Sequence, residues 1–355
     1  MSNKVNIYVV VFVCLSIAAG QSSAVYCNNG RGECKEFQYC HSLYKNSPID
    51  VNSIHYCDLS SGIVCCPRTE FNFETRFGTD TYAEMEQFPA CMEYAKFAPS
   101  TCSGPLIYGG VKAKPKEFPS VALLGTKDNN TGAIDWYCGG TLISRRFVIT
   151  AAHCFRVSTS INIVRLGELD YNTTNDDTQT QDFNVVHAVL HPSYNLDRYN
   201  DIALIELDRD AILNEYVIPA CLPPKTTQDT RFTAVGWGKT EKGDASSHLL
   251  KVELDLFTGD QCAKSVPVQE NLEMGLKERT QICAGSHKHN IDTCNGDSGG
   301  PLYVRHKSYH CMLQLAAITS FGYVQCGTAD IPSINTKVNL YLSWIENVVW
   351  DVSPL

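Results

Sequence analysis

CNGDSGGP, residues 294–301, places Ser298 among glycine residues. Glycine lets the backbone turn sharply and lets amide groups come close to a bound carbonyl group. A serine hydroxyl is a weak nucleophile until a neighbouring base accepts its proton. The stretch therefore predicts that Ser298 is a nucleophile if the rest of the chain supplies such a base.

Two other stretches supply the partners that Ser298 requires. TAAHC (150–154) offers His153 as the base, and DIAL (201–204) offers Asp201 as the carboxylate that orients the imidazole. Their order along the chain, His then Asp then Ser, is one of the known orders of a catalytic triad. Taken singly, each residue also has a structural interpretation, as a packing histidine, a turn aspartate or a loop serine. Only their combination favours nucleophilic catalysis.

The composition of the chain excludes some classes of partner. The chain has 355 residues, of which 44% are hydrophobic, and this is enough to bury the core of one large domain. Its formal net charge is −9. Because affinity for phosphate groups comes from clustered Lys and Arg, we expect neither nucleic acid nor an anionic membrane as a partner.

The first 24 residues are typical of a secretory signal peptide. Lys4 precedes an apolar run at residues 9–19, and small residues follow it. The run is shorter than the ~20 apolar residues that span a bilayer, so we predict a secreted, extracellular protein without a membrane anchor. Removal of residues 1–24 takes Cys14 away and leaves sixteen of the 17 cysteines, an even number that suits disulfides in an oxidising compartment.

The rest of the chain changes character twice. Residues 25–67 carry six cysteines in a segment too short to fold on an apolar core alone, so disulfides must stabilise this module. Residues 68–106 lack helical or strand periodicity and predict a linker. From residue 107 to residue 355 short apolar runs alternate with turn residues, which favours an antiparallel barrel or sandwich. The spacing of apolar residues in NLYLSWIENVVW (339–350) predicts a C-terminal helix.

TAAHC, DIAL and GDSGGP follow one another in the order, and at about the separations, of the motifs of the chymotrypsin-like serine proteases, and the chain resembles this family from Ile107 to the C-terminal helix. The resemblance implies an all-β fold of two six-stranded antiparallel β-barrels followed by a C-terminal helix. It places the triad of His153, Asp201 and Ser298 in the cleft between the barrels. It also implies that the backbone amides of Gly296 and Ser298 form the oxyanion hole.

The stretch GPLIYGG (104–110) resembles the activation site of this family, whose zymogens are cut before a sequence similar to Ile-Val-Gly-Gly. The resemblance implies a cut between Leu106 and Ile107, after which the new amino group of Ile107 turns inward and pairs with Asp297. The pairing would settle the loop that carries the oxyanion hole. The alternative is that Tyr-Gly-Gly is only a hairpin turn.

The resemblance also assigns residues to the specificity pocket. Asp292, six residues before the nucleophile, would form an anionic floor that selects Arg or Lys. Gly322 would form part of the pocket wall, and Ser320 would donate a hydrogen bond to the triad aspartate. Ser333 stands where the family usually has glycine, and we expect its hydroxymethyl group to project into or beside the pocket.

The six-cysteine module resembles the clip domain of arthropod clip-domain serine proteases, which places a clip domain at 25–67, a linker with the activation segment at 68–106 and the protease domain at 107–355. Spacing alone leaves fifteen pairings of six cysteines open. The resemblance implies the clip pairings Cys27 with Cys65, Cys34 with Cys57 and Cys40 with Cys66, and the protease pairings Cys138 with Cys154, Cys262 with Cys283 and Cys294 with Cys326. It further suggests Cys91 with Cys221 and Cys102 with Cys311, so that the clip half stays attached after the cut.

Two surface loops carry further candidate sites. Asn129 and Asn172 begin sequons for N-glycosylation. The chemistry requires no cofactor, but GELDYNTTNDDTQTQD overlies the loop that binds calcium in some relatives of the family, and Glu168, Asp176 and Asp177 offer oxygen ligands. We favour a solvated acidic loop over a calcium site.

The motif set predicts a function within a cascade. The chain resembles the clip proteases that are cut after Leu or His, which are similar to the penultimate, snake-like members of Toll-activating and prophenoloxidase cascades. The resemblance implies an upstream protease that cuts after Leu, a downstream clip-protease zymogen as substrate and a serpin as inhibitor, in immune, melanising or developmental signalling. The alternative is a non-catalytic homologue that only binds partners, and the retained Ser298 argues against it.

Overall fold

The chain divides into two compact units, residues 1–76 and residues 77–355. The computed structural model describes the backbone of four strands in the first unit. In the second unit it describes residues 87–99, 110–155, 161–194, 198–239, 245–265, 272, 275–288, 296–309, 311–322 and 328–350.

The first unit contains a small antiparallel sheet. Its strands are ordered β1-β2-β4-β3. Every strand contains at least one cysteine of the predicted clip domain, and the pairings of these cysteines lie outside the described residues. The strands are β1 (Tyr26–Cys27), β2 (Gly32–Glu36), β3 (Tyr56–Asp58) and β4 (Ile63–Pro67).

The first described element of the second unit is a helix that the sequence pattern did not predict. Helix α1 (Gln87–Tyr94) and a 3₁₀ turn (Ala95–Phe97) lie within the segment where we expected a linker without regular structure. Cys91 and Tyr94 are buried in the same apolar cluster as the protease core. The segment is therefore a packed part of the second unit at this point, because tertiary contacts override its weak periodicity.

The first barrel closes from six antiparallel strands in the order β10-β11-β8-β7-β6-β9. Its strands carry the apolar runs seen in the sequence, and in ALIEL (203–207) only Glu206 is not fully buried. Glu206 accepts a hydrogen bond from Arg146 at 3.0 Å. The strands are β6 (Val121–Lys127), β7 (Ile134–Leu142), β8 (Phe147–Thr150), β9 (Ile163–Leu166), β10 (Gln181–Leu190) and β11 (Ala203–Leu207).

The second barrel is ordered β12-β15-β16-β17-β14-β13 and closes by pairing of β13 with β12. The short strand β5 (Val111–Lys112) pairs with the first two residues of β13. Two closed six-stranded antiparallel barrels were predicted, and the structure confirms them. The strands are β12 (Arg231–Gly236), β13 (Leu250–Phe257), β14 (Gln281–Gly285), β15 (Pro301–Arg305), β16 (Leu313–Phe321) and β17 (Ser333–Lys337).

Short helices complete the second unit. Helix α2 (Gly259–Ser265) follows β13, and helix α3 (Leu342–Trp350) closes the described chain after a 3₁₀ turn (Asn339–Tyr341). The predicted C-terminal helix is thus confirmed. Within the described part of the chain, no helix combines the length and the apolar character that a bilayer crossing requires.

The two barrels share one apolar cluster, which contains Leu124 and Leu204 from the first barrel and Leu315 and Ile318 from the second. A buried hydrogen bond of 2.6 Å joins the hydroxyl groups of Ser120 and Tyr303 across the same boundary. Burial of this kind stabilises the unit by roughly 25 cal/mol per Å² of apolar surface removed from water. This packing therefore holds the two barrels against each other.

Candidate active site

Strand pairing brings His153 and Asp201 together. His153 lies on a 3₁₀ turn (Ala152–Phe155) that follows β8, and Asp201 lies two residues before β11. The two strands are neighbours, with Thr150 opposite Ala203. Because both residues project from the same end of this pair, residues 48 positions apart become adjacent.

The Asp201 carboxylate holds His153 in two places. Its Oδ2 atom lies 2.7 Å from His153 Nδ1, and its Oδ1 atom accepts a hydrogen bond of 2.8 Å from the His153 backbone amide. The Ser320 hydroxyl donates a further hydrogen bond to Oδ2, as the resemblance implied. Thr336 donates from its hydroxyl to the Asp201 backbone carbonyl at 3.0 Å. The imidazole orientation is therefore fixed by an aspartate that is itself fixed.

These contacts decide the charge of Asp201. Its side chain has no exposed surface, and burial alone would raise its pKa. The attraction of His153 and the hydrogen bonds from His153 and Ser320 outweigh burial and hold the pKa below its ordinary value. Asp201 is therefore a carboxylate at neutral pH. A carboxylate at Nδ1 favours the tautomer with a proton on that atom, which leaves Nε2 to accept a proton.

The loop that carries Ser298 packs against the turn that carries His153. The Gly139 amide of β7 donates to the Ser298 carbonyl at 2.8 Å, and the Gly299 amide donates to Thr319 of β16 at 2.8 Å. Gly299 has φ of +77°, and a Cβ atom there would lie 2.1 Å from Thr150 Oγ1 and 3.1 Å from the Ala151 amide nitrogen. Only glycine fits this position, and its absence of a side chain lets the nucleophile segment approach the histidine turn.

Gly296, the other predicted oxyanion residue, has φ of +103°, and a Cβ atom there would lie 2.9 Å from Gly238 Cα. This backbone conformation is one that side-chain-bearing residues rarely adopt. The loop thus turns sharply immediately before Asp297 and Ser298, as the sequence predicted.

The Asp297 carboxylate lies against the backbone of the segment GWG (236–238). Gly238 donates its amide to Oδ1 at 2.8 Å. A Cβ atom on Gly236 would lie 2.1 Å from Oδ1, and one on Gly238 would lie 2.4 Å from Oδ2. Two glycines therefore make the space in which this carboxylate is held. Leu106 and Ile107 lie outside the described residues, so the pairing of Ile107 with Asp297 stays a prediction.

Ser333 and Gly322 are neighbours in the predicted pocket. A Cβ atom built on Gly322 would lie 3.7 Å from Ser333 Cβ. Ser333 is fully buried, and its hydroxyl donates a hydrogen bond to the Ala284 carbonyl at 3.0 Å. Asn335 Nδ2 donates to the Ser333 backbone carbonyl at 3.1 Å. The hydroxyl is thus engaged by the barrel wall. Asp292, the predicted floor, lies outside the described residues.

The structure contains three of the disulfides that the resemblance implied. They pair Cys138 with Cys154, Cys262 with Cys283 and Cys91 with Cys221. The first anchors the turn that carries His153, and the third fastens helix α1 to the protease domain. Cys311 is also disulfide-bonded, whereas its predicted partner Cys102 and the predicted pair Cys294 and Cys326 lie outside the described residues. The sequon residues Asn129 and Asn172 are both exposed.

The acidic loop (168–177) does not fit a calcium site. Glu168 Oε2 lies 3.2 Å from Arg165 Nη1, and its Oε1 accepts from the Leu169 amide at 2.8 Å. Asp176 accepts from the Asp170 amide at 3.0 Å. Among the described residues, ligand atoms of three acidic groups within 4.8 Å of one another are not found in this loop. Protein donors therefore hold the carboxylates that we considered as calcium ligands.

The third acidic residue of the loop has partners of a similar kind. Asp177 accepts a hydrogen bond from the Tyr216 hydroxyl, and Lys116 Nζ lies 3.5 Å from its Oδ2 atom. Lys116 also pairs with Glu215 at 3.0 Å. The hydrogen bond from Tyr216 and the charge of Lys116 lower the pKa of Asp177.

The fold, the His153–Asp201 pair and the tightly turned Ser298 loop define a serine protease. The family model described as trypsin matches residues 107–345, so the chain belongs to the trypsin family.

Similar proteins place it more narrowly, among the clip-domain serine proteases. The chain is 37% identical to phenoloxidase-activating factor 1 of Holotrichia diomphalia over 68% of this chain and 69% of that protein. It is 36% identical to serine protease ea of Drosophila melanogaster over 91% and 89% of the two chains. It is 35% identical to CLIP domain-containing serine protease B14 of Anopheles gambiae over 73% and 76%.

Two residues of the site were not singled out in the sequence. Thr336 fixes the Asp201 backbone from β17, and Arg198 donates to the Ser320 carbonyl at 3.3 Å. Both contacts join residues more than 120 positions apart. No local pattern signals such contacts, because they depend on the packing of one barrel against the other.

Proposed function

We propose that the protein is a secreted zymogen of a serine endopeptidase that acts in an extracellular proteolytic cascade and cuts after Arg or Lys. The observation that carries the proposal is the buried Asp201 carboxylate, which binds His153 at 2.7 Å and is held by Ser320 from the opposite barrel. A merely structural histidine would not need an oriented imidazole beside a glycine-lined serine loop.

The proposed reaction follows from this geometry. Ser298 Oγ attacks the substrate carbonyl while His153 Nε2 takes its proton, and the Asp201 carboxylate stabilises the imidazolium that forms. The amides of Gly296 and Ser298 donate to the oxyanion of the tetrahedral intermediate. His153 then protonates the leaving amine, and a water molecule hydrolyses the acyl-enzyme by the same steps in reverse.

Activation would begin with cleavage between Leu106 and Ile107. Ile107 lies four positions before Val111 at the start of β5, so the new amino group stays within about 14 Å of a strand that is paired with β13. Its ammonium group would pair with Asp297, which already lies against Gly236 and Gly238. A buried ion pair stabilises a fold only when both charges are present. The uncut chain has no ammonium group at Ile107, so this pair would not order the oxyanion loop.

The residue before the cut sets the order of the cascade. An enzyme with Asp292 on the pocket floor would prefer Arg or Lys, so it would not cut after Leu106 and would not activate itself. We therefore propose an upstream protease that favours large apolar residues, a downstream clip-protease zymogen as substrate and a serpin as inhibitor. The name phenoloxidase-activating factor 1 supports melanisation as one setting for such a cascade, and a Toll-type immune or developmental pathway is another.

The experiment uses secreted full-length zymogen and a chymotrypsin-like activating protease. We expect a new N-terminus at Ile107 and new hydrolysis of peptides that end in Arg or Lys, but not in Phe or Ala. Leu106→Ala should resist this cut, and Ser298→Ala should be cut normally without gaining peptidase activity. Equal hydrolysis by Ser298→Ala would contradict the mechanism.

A second candidate is a non-catalytic homologue that binds partners through its clip domain. A binding protein would not need the His153–Asp201–Ser320 hydrogen bonds, so we favour the enzyme. Correct cleavage at Ile107 without hydrolysis of any peptide would favour the binding protein instead.

A further inference from the structure

Arg198 lies three residues before Asp201 in a conformation that the fold imposes. Its φ is +63°, a left-handed backbone conformation that residues with a side chain rarely adopt. The next residue, Tyr199, is buried and donates its hydroxyl to the Gly275 carbonyl at 2.9 Å. Gln281 Nε2 donates to the Arg198 carbonyl at 3.3 Å. The chain that follows the Arg198 side chain is therefore held by contacts with the segment that contains Gly275 and Gln281.

The guanidinium group of Arg198 lies at the end of β16. Its Nη1 donates to the Ser320 carbonyl at 3.3 Å, and its central carbon lies 5.6 Å from the centroid of the Phe321 ring. The hydroxyl of the same Ser320 donates to the Asp201 carboxylate. The positively charged Arg198 thus contacts Ser320, which in turn contacts the triad residue Asp201. The same charge lies beside the segment that continues to Gly322.

This position is beside the path of a substrate. In the predicted pocket the substrate side chain would lie next to Gly322, which is exposed, and Ser320 and Phe321 precede Gly322 at the end of β16. Residues that adjoin the cleaved residue in a bound peptide would therefore come within reach of the partly buried Arg198. The guanidinium presents several N–H groups in a planar fork that matches a carboxylate, and contact with an aromatic ring limits its mobility.

We propose that Arg198 is a specificity-determining residue that favours substrates with an acidic side chain among the three residues before the cleaved Arg or Lys. The proposal rests on the proposed endopeptidase function. It concerns which zymogen activation segments the enzyme accepts, and a cation at this place would disfavour those that carry Lys or Arg at the same positions. The carboxylate of the substrate would accept hydrogen bonds from the guanidinium at the rim of the cleft.

The test measures kcat/KM of the activated full-length enzyme on matched peptides. Each peptide ends in the same Arg, and Glu, Ala or Lys is placed in turn at each of the three preceding positions. At one of these positions we expect Glu to be preferred over Lys by about two- to ten-fold, the range of a partly exposed ion pair. The preference should shrink as NaCl is raised from 50 mM to 500 mM, because salt screens exposed charges.

Three variants separate selection from structural support. Arg198→Lys keeps the charge and should keep part of the preference for Glu. Arg198→Ala should remove the preference, and Arg198→Glu should reverse it in favour of Lys. Thermal unfolding of each variant shows whether the fold is retained, and the ratio of kcat/KM values for Glu and Lys peptides does not depend on how much enzyme is correctly folded.

The outcomes are distinct. If Arg198→Ala slows all peptides by one common factor and leaves the ratio unchanged, Arg198 only supports the fold, and the inference is wrong while the proposed function stands. A wild-type enzyme that cuts Arg peptides without regard to the preceding charge overturns the inference as well. If the correctly cut wild-type protein hydrolyses none of the peptides, the proposed function fails and this inference fails with it.

Discussion

A buried ion pair ties the start of the protease domain to the second barrel, and its removal should be costly. Lys251 Nζ on β13 contacts Glu117 Oε1, and the two side chains are only 6% and 4% exposed. Glu117 Oε2 accepts a further hydrogen bond of 2.8 Å from the Lys114 amide. Lys251 Nζ also lies 6.0 Å from the centroid of the Phe118 ring. Little water can therefore reach either charge to replace its partner.

Removal of one partner leaves the other charge buried. We expect Glu117→Gln or Lys251→Met alone to lower the free energy of unfolding by about 3–5 kcal/mol. A domain of this size loses roughly 2–4 °C in Tm per kcal/mol, so each single variant should unfold roughly 6–20 °C below the wild type. The double variant Glu117→Gln/Lys251→Met removes both charges with little change in volume, and most of the loss should be recovered.

The assay is thermal unfolding of full-length zymogen, followed by tryptophan fluorescence at one fixed heating rate. The matched control is the exposed pair Arg231–Asp255, which joins β12 to β13 at 3.2 Å with side chains 64% and 36% exposed. Arg231→Met should cost less than about 1 kcal/mol. If the two buried-pair variants lose no more than this control, or if their losses simply add in the double variant, the reasoning from desolvation is refuted.

Four shorter predictions concern the site and its surroundings. Ser320→Ala removes a donor that holds the Asp201 carboxylate and helps to keep its pKa low, so kcat/KM at neutral pH should fall roughly ten-fold, the effect of losing one hydrogen bond to a charged group; an unchanged kcat/KM would contradict this role. Burial lowers the pKa of His191 to about 4, so the unfolded chain binds its proton more tightly and stability falls as pH decreases from about 6.5 towards 4; His191→Gln should lose less Tm over this range than the wild type, and an equal loss would argue against it. The Cys91–Cys221 disulfide spans the proposed cut, so the cleaved zymogen should migrate as one band without reductant and as two with it. Chelation by EDTA should leave the Tm unchanged, because protein donors already engage the carboxylates of the acidic loop, and a fall in Tm restored by calcium would show that this reasoning is wrong.

The sequence predicts well what local motifs encode. TAAHC and DIAL each place a side chain at the end of a strand, and the fold then needs only to pair β8 with β11 to unite His153 with Asp201. The glycines around Ser298 likewise report a backbone that turns sharply, and the structure has positive φ at Gly296 and Gly299. In these places the same few residues determine both the chemistry and the local conformation.

Features that depend on distant packing could not be predicted. Helix α1 has only eight residues, and what holds it is burial of Tyr94 and a disulfide to Cys221, 130 positions from Cys91. The direction of the Ser333 hydroxyl depends on the Ala284 carbonyl of the neighbouring strand β14. No pattern within a short window of sequence contains these partners.

The way in which Asp201 is held also limits how the catalytic unit moves. His153 belongs to the first barrel, whereas Ser320 and Thr336 belong to the second, and all three donate hydrogen bonds to Asp201. A breathing motion that widens the cleft must therefore break charge-assisted bonds on one side of a carboxylate that has no water to replace them. We expect the amides of the 152–155 turn and of the end of β16 to exchange with deuterium in one cooperative event rather than independently. The hydrogen bonds that hold the Asp201 carboxylate are then lost together with the contact between the two barrels.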